Sequence, residues 1–187
     1  MANSNAPFGL KWIGDVSSGI VSGKVRSYVI PSTDSANYFM GDPVKSTSTG
    51  TTDGIPTVAI ASGAGDTLRG IIVGFKVNPD NLNITYGAAS TTRTAFVLDS
   101  PFAEFLIQSN GTGAITDLGA NANLATGSGS TVTGLSGYTL DESSVGTENT
   151  KTLRILELYN VVNNTLGAYN IYRVMINLHE LKSTTGT

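Results

Sequence analysis

A single histidine, His179, is the one side chain in this sequence whose ordinary pKa suits proton transfer near neutral pH, and no cysteine accompanies it. Nucleophilic catalysis needs a base beside a Ser, Thr or Cys. His179 stands between Leu178 and Glu180 in an alternating C-terminal run, which fits an edge-strand residue better than half of a triad. The strained Gly-x-Ser-x-Gly elbow is absent, since Ser62-Gly-Ala-Gly and Gly127-Ser-Gly lack its frame. Phosphate cradles fare no better. Gly63-Ala-Gly65 and Gly127-Ser-Gly129 miss a third glycine and lead toward strands, and no Gly-Lys-Ser or Gly-Lys-Thr occurs.

Carboxylates are the remaining chemical resource. Asp141, Glu142 and Glu148 could join Asp99 or Glu104 in a glycosidase pair, which needs carboxyls roughly 5–10 Å apart. Such a site also needs aromatics to stack on sugar, and the aromatic residues are only 7% and fall in strand patterns. No Asp-x-Asn-x-Asp-Gly calcium loop is present. A Ca²⁺ held between subunits by Asp141, Glu142 and Glu148 is the one cation site left open. The residues therefore give no catalytic group and no cofactor, and an enzyme is not expected.

The elements that would position any site are short strands. Residues 24–30 (Lys-Val-Arg-Ser-Tyr-Val-Ile) form the first, stopped by Pro31. Residues 38–77 hold three apolar runs separated by turn chemistry, the signature of a β-meander. In the third run Ile71, Val73, Phe75 and Val77 alternate onto one face. Residues 93–99 and 102–108 are two strands broken at Ser100-Pro101, because proline cannot donate to a ladder. A short strand is expected at 138–141. The longest extended runs are 151–162 and 169–181, with helix as the competing reading for 152–160. Tyr172, Val174, Ile176 and Leu178 share a face of the last run. Together these predict an all-β fold, an antiparallel β-barrel or β-sandwich with an extended N-terminal arm and long Gly-rich loops.

Residues 1–23 read as arm and linker, and residues 24–187 as one β-rich domain with a long loop at 109–137. Pro7 biases the arm toward extended backbone. Phe8, Leu10 and Trp12 are its large apolar residues. Trp12, the only tryptophan, either closes one end of the core or docks with the others on a neighbouring protein.

At 187 residues the chain suffices for one self-supporting core. Charged residues are 13%, about half the usual fraction, which fits either a weakly hydrated surface suited to lying against protein or simply a Thr-rich β protein. The net charge of −3 disfavours nucleic acid. Residues 94–150 contain six acids and no Lys or Arg, which would repel a phosphate backbone. No signal peptide or membrane-spanning run is read in the sequence, so no membrane partner is expected.

Several segments, in order, resemble a family of tailed-phage virion proteins. They are Asn-Ala-Pro-Phe-Gly-Leu-Lys (5–11), Tyr-Val-Ile-Pro-Ser-Thr-Asp (28–34), Phe-Met-Gly-Asp-Pro-Val (39–44), Asp-Gly-Ile-Pro-Thr-Val (53–58), Gly-Ile-Ile-Val-Gly-Phe (70–75) and Asp-Leu-Gly-Ala-Asn-Ala-Asn-Leu (117–124). The resemblance covers roughly residues 5–125, and the C-terminal third follows it more loosely. It implies a capsid decoration, or cement, protein that sits on the outside of the capsid and stabilises the lattice of the major capsid protein. It further implies a homotrimer, assembled in the host cytoplasm and carried on the virion. Pro7, Phe8, Leu10, Trp12, Asp117, Asn121 and Asn123 are the expected contact residues. A host- or glycan-binding head or tail module is the alternative, and a single-domain coat protein the third reading.

Overall fold

The computed structural model describes residues 3–16 and 24–183. Residues 17–23 of the expected arm and linker lie outside the described residues, as do both chain ends.

Among the described residues, eleven strands form two sheets. The first, in the order β1-β7-β11-β10-β8-β9, is antiparallel throughout. It is built from β1 (Lys11–Asp15), β7 (Ala103–Gln108), β8 (Asn121–Ala125), β9 (Thr139–Gly146), β10 (Leu153–Leu158) and β11 (Ile171–Ile176). The second closes on itself as a five-stranded barrel, β2-β4-β3-β5-β6. Its strands are β2 (Val25–Ile30), β3 (Pro43–Gly50), β4 (Pro56–Ile60), β5 (Gly70–Phe75) and β6 (Arg93–Leu98). The all-β expectation holds. The seam between β2 and β4 is parallel and rests on one register pair, Val29 with Thr57.

Two apolar cores follow from this arrangement. The barrel interior packs Tyr28, Ile30, Tyr38, Val44, Val58, Ile72, Ala95 and Val97. The larger core lies between the barrel wall and the six-stranded sheet, with Ile71, Leu98, Phe105, Ile107, Leu140, Ile155, Tyr172 and Val174 all fully buried. Neighbouring residues of β5 and β6 divide between the cores: Ile72 and Val97 point into the barrel, Ile71 and Leu98 into the larger core. β5 and β6 are one wall with two buried faces. Gly70 allows the close approach this wall needs, since a Cβ there would sit 2.2 Å from the Leu98 carbonyl oxygen.

Five sequence expectations change. The runs of 38–77 are not a meander, because β3 lies between β4 and β5. The chain after β4 leaves the barrel to bond the other sheet: Gly63 O accepts the Thr152 hydroxyl, and Leu68 N–H reaches Leu178 O. It then returns on the far side of β3. The single-face alternation of β5 fails because a bulge shifts its register between Ile72 and Gly74, and Val77 lies beyond the strand, 70% exposed. The loop at 109–137 is not structureless: it contains a 3₁₀ helix (Ile115–Asp117) and β8, which pairs with β9 on one side and β10 on the other. Residues 11–15 of the expected arm are β1, an edge strand of the sheet, because Leu10 beside them is buried in the larger core. His179 is not on an edge strand but caps the terminal 3₁₀ helix (Glu180–Lys182), at 1% exposure.

The extended reading of 151–162 prevails over helix at β10, and β9 runs five residues past the expected strand end, to Gly146. A buried-to-half-buried ion network ties the barrel to the C-terminal segment. Arg69 donates to the Tyr28 hydroxyl at 2.6 Å and lies 3.4 Å from Asp99 and 3.8 Å from Glu180.

Candidate functional site

An apolar groove of about 560 Å³ runs beside β1, between the N-terminal segment and the body of the protein. Phe8, Leu10 and Trp12 form one side of it. Met40, Ile72, Val73 and Leu135 come from the barrel side, and Leu106, Tyr159, Val161 and Ile171 from the six-stranded sheet and the turn after β10. Among the described residues Lys11 is its only charged lining residue, and the Tyr159 hydroxyl and the Trp12 indole N–H are its other polar side-chain groups.

The local sequence builds this wall in steps. Gln108, buried at the end of β7, accepts from Ala6 N–H at 2.8 Å and donates to Ser4 O at 3.0 Å. That pins the entry of the segment. Gly9 then turns the chain with φ +72°, and a Cβ on it would meet Ser136 Cβ at 2.4 Å and Gly41 O at 2.8 Å. Leu10 N–H donates to Gly41 O at 3.0 Å, and the Leu10 side chain enters the core. Beyond it, β1 pairs with β7 while its other edge has no partner strand among the described residues. The Trp12 indole N–H is satisfied locally by Gly14 O at 2.8 Å, so the ring can stay at the surface, 39% exposed.

Of the residues singled out from sequence, Phe8, Leu10 and Trp12 meet in this groove, with Pro7 exposed just before them. Asp117, Asn121 and Asn123 lie elsewhere and are used within the chain. Asp117 is buried, and its carboxylate accepts from Ala114 N–H. Asn121 donates to Glu148 O and accepts from Arg154 Nε. Asn123 Oδ1 accepts from Gly65 and Thr152 N–H, clamping β8 to the loop after β4. Tyr159, Val161, Leu135 and Met40 complete the groove without having been singled out. The available signal was the Val161-Val162 pair after β10, where a turn normally carries polar residues.

Asp141, Glu142 and Glu148 diverge within the chain. Asp141 accepts from Ser143, Glu148 pairs with Lys151 at 2.8 Å, and Glu142 turns toward Asp117. Among the described residues no three His, Cys, Asp or Glu side chains converge as metal ligands. His179 Nδ1 accepts Leu181 N–H at 3.1 Å, and its Nε2 has no hydrogen-bond partner. Burial, and then the charges of Lys182 and Arg69, push its pKa down to about 4, so the ring is neutral at pH 7. Ser46 gives its hydroxyl hydrogen bond to Glu180 at 2.6 Å and not to the imidazole. This arrangement caps and ties together the C-terminal segment.

Comparison of the chain with protein-family models, with curated proteins and with solved structures finds no match.

Proposed function

We propose that the protein is a virion structural protein that binds the outside of a tailed-phage capsid and stabilises the lattice of its major capsid protein. The observations that carry this reading are the groove beside β1, where Phe8 and Trp12 line an almost uncharged cleft, and the outer edge of β1, which has no partner strand among the described residues. An extended segment of capsid protein laid there gains main-chain hydrogen bonds from the edge and apolar burial from the groove. The ordered family-like wording of residues 5–125 and the 13% charged content support the same reading. Three copies around one axis, the homotrimer that resemblance implies, would multiply a modest contact through effective concentration.

One observation favours the glycan-binding alternative: Phe8, Trp12 and Tyr159 are three aromatics in one cleft. A sugar also needs convergent hydrogen-bonding groups, and the cleft offers one ammonium, one phenol and an indole N–H already given to Gly14 O.

The test is saturation binding to purified, expanded capsids. Wild-type protein should bind in a fixed stoichiometric ratio, and Trp12→Ala should weaken binding at least tenfold while leaving stability within about 1 kcal/mol, since the ring is partly solvated. Truncation of residues 1–12 is the poorer probe, because it removes Leu10 from the core. Equal capsid binding by Trp12→Ala would remove the groove from the interface. A glycan-array signal without capsid binding would replace the reading, and closed shells formed by the protein alone would mark a coat protein.

A further inference from the structure

Within residues 114–119 only Asp117 is buried, while Ile115 and Leu118 are exposed. This turn is anchored by a carboxylate, and the group that meets it is another carboxylate. Glu142, from β9, lies within hydrogen-bonding reach of Asp117. The Tyr172 hydroxyl of β11 stands between them, 3.5 Å from Asp117 Oδ2 and 3.4 Å from Glu142 Oε1. Packing holds the arrangement from behind. A Cβ on Gly113 would fall 1.9 Å from the Tyr172 oxygen, and one on Gly111 would fall 2.7 Å from Glu142 Cβ.

Among the described residues the surroundings bring no compensating cation. The loop 109–113 contributes the Ser109 hydroxyl, which faces Glu142 and donates to Gly111 O at 3.4 Å. β11 contributes Tyr172, the 3₁₀ helix Asp117, and the segment before β11 the neutral Asn170 near Gly113. Asp141, next along β9, is occupied by Ser143. Glu142 Oε2 is shielded from solvent and has no hydrogen-bond partner, as expected of a carboxyl whose other oxygen takes part in a shared-proton bond.

We propose that Asp117 and Glu142 share one proton and form a latch that fastens the turn at 114–119 to β9 and β11, and that loss of this proton releases the turn. Two like charges at hydrogen-bonding distance in a half-buried site without a cation cannot both persist. Consistent with this, burial and then Asp117 raise the Glu142 pKa to about 7. The sign is fixed. A carboxyl whose pKa rises from 4.5 to about 7 on closure binds its proton more tightly in the closed form, so closure is strongest below pH 4.5, weakens as pH rises toward about 7 and levels off beyond it. The ends of the turn stay held by Gly113 N–H on Gly167 O and Gly119 N–H on Ile155 O, so the opening is local. It uncovers Asp117 and adds to the exposed apolar surface of Ile115 and Leu118.

Amide hydrogen exchange of residues 114–119 between pH 5.5 and 8.5, corrected for the intrinsic rate, tests the latch. In the wild type the opening equilibrium should rise up to about pH 7, approaching tenfold per pH unit, and level off above it. Glu142→Gln keeps the shape and removes the charge, so its opening should stay flat. A wild-type opening independent of pH, or the same rise in Glu142→Gln, overturns the proposal. Should that variant fold poorly, carboxyl-¹³C labelling of Glu in the wild type decides: the Glu142 carboxyl should titrate near 7, and a titration at the ordinary 4.5 overturns the proposal.

Discussion

Replacing Gly9 by alanine tests the way the N-terminal segment forms the wall of the groove. Gly9 has φ +72°, a conformation that costs a residue with a Cβ about 1–2 kcal/mol. Its Cβ would lie 2.4 Å from Ser136 Cβ, 2.6 Å from Ser136 Oγ and 2.8 Å from Gly41 O. Overpacking of this kind costs about 1–3 kcal/mol more, because Gly41 O is backbone and cannot turn aside. The loss has a ceiling, since the segment can detach locally. Detachment forfeits Leu10 burial, about 2 kcal/mol, and the Leu10–Gly41 hydrogen bond, about 1 kcal/mol. Gly9→Ala should therefore cost about 2–3 kcal/mol in urea unfolding. Emission of the single tryptophan, Trp12, should shift to the red as the groove opens. Adding Ser136→Gly should restore part of the loss, leaving the backbone strain and the Gly41 contact. Full stability in Gly9→Ala with unchanged Trp12 emission would refute this account of the wall.

The other expectations concern the core and the acid side of the stability profile. Phe105→Ala, at a fully buried site on β7, should cost about 3–5 kcal/mol in the same assay, and a cost below 1 kcal/mol would contradict the packing. His179 is held neutral with a pKa near 4, below its unfolded value near 6.5, so its contribution is present above pH 6.5 and lost as pH falls through 4. That loss, up to about 3 kcal/mol, should shrink in thermal melts of His179→Gln, and an unchanged acid limb would exclude this source.

Much of the fold was legible because apolar runs mark β2, β6, β7 and β11 directly, while the Leu-rich run of β10 also admitted a helix. β8 was not. Its sequence, Asn-Ala-Asn-Leu-Ala, has a turn-like composition, and it becomes a strand because Ala122 and Leu124 are buried while Asn121 and Asn123 bond other segments. Strand order was hidden too, since the crossover after β4 depends on where residues 61–69 find partners in the other sheet. For the groove, the apolar residues of the N-terminal segment were visible as a set. The opposite wall joins residues as far apart as Met40, Leu106 and Ile171, and no local spacing reports that. The Asp117–Glu142 encounter has the same origin. A 24-residue separation carried no pattern until β9 and the 3₁₀ helix were folded together.

The double-faced wall of β5 and β6 also governs how this molecule fails. Pulling the barrel from the sheet exposes Ile71 and Leu98, and opening the barrel exposes Ile72 and Val97 on the same strands. Neither half can come apart without stripping a strand that the other needs, so the molecule has no internal hinge at this junction. Force applied at the N-terminal groove passes through β1 and β7 into the larger core and then into that wall. The chain should yield as a single rigid piece, late and all at once.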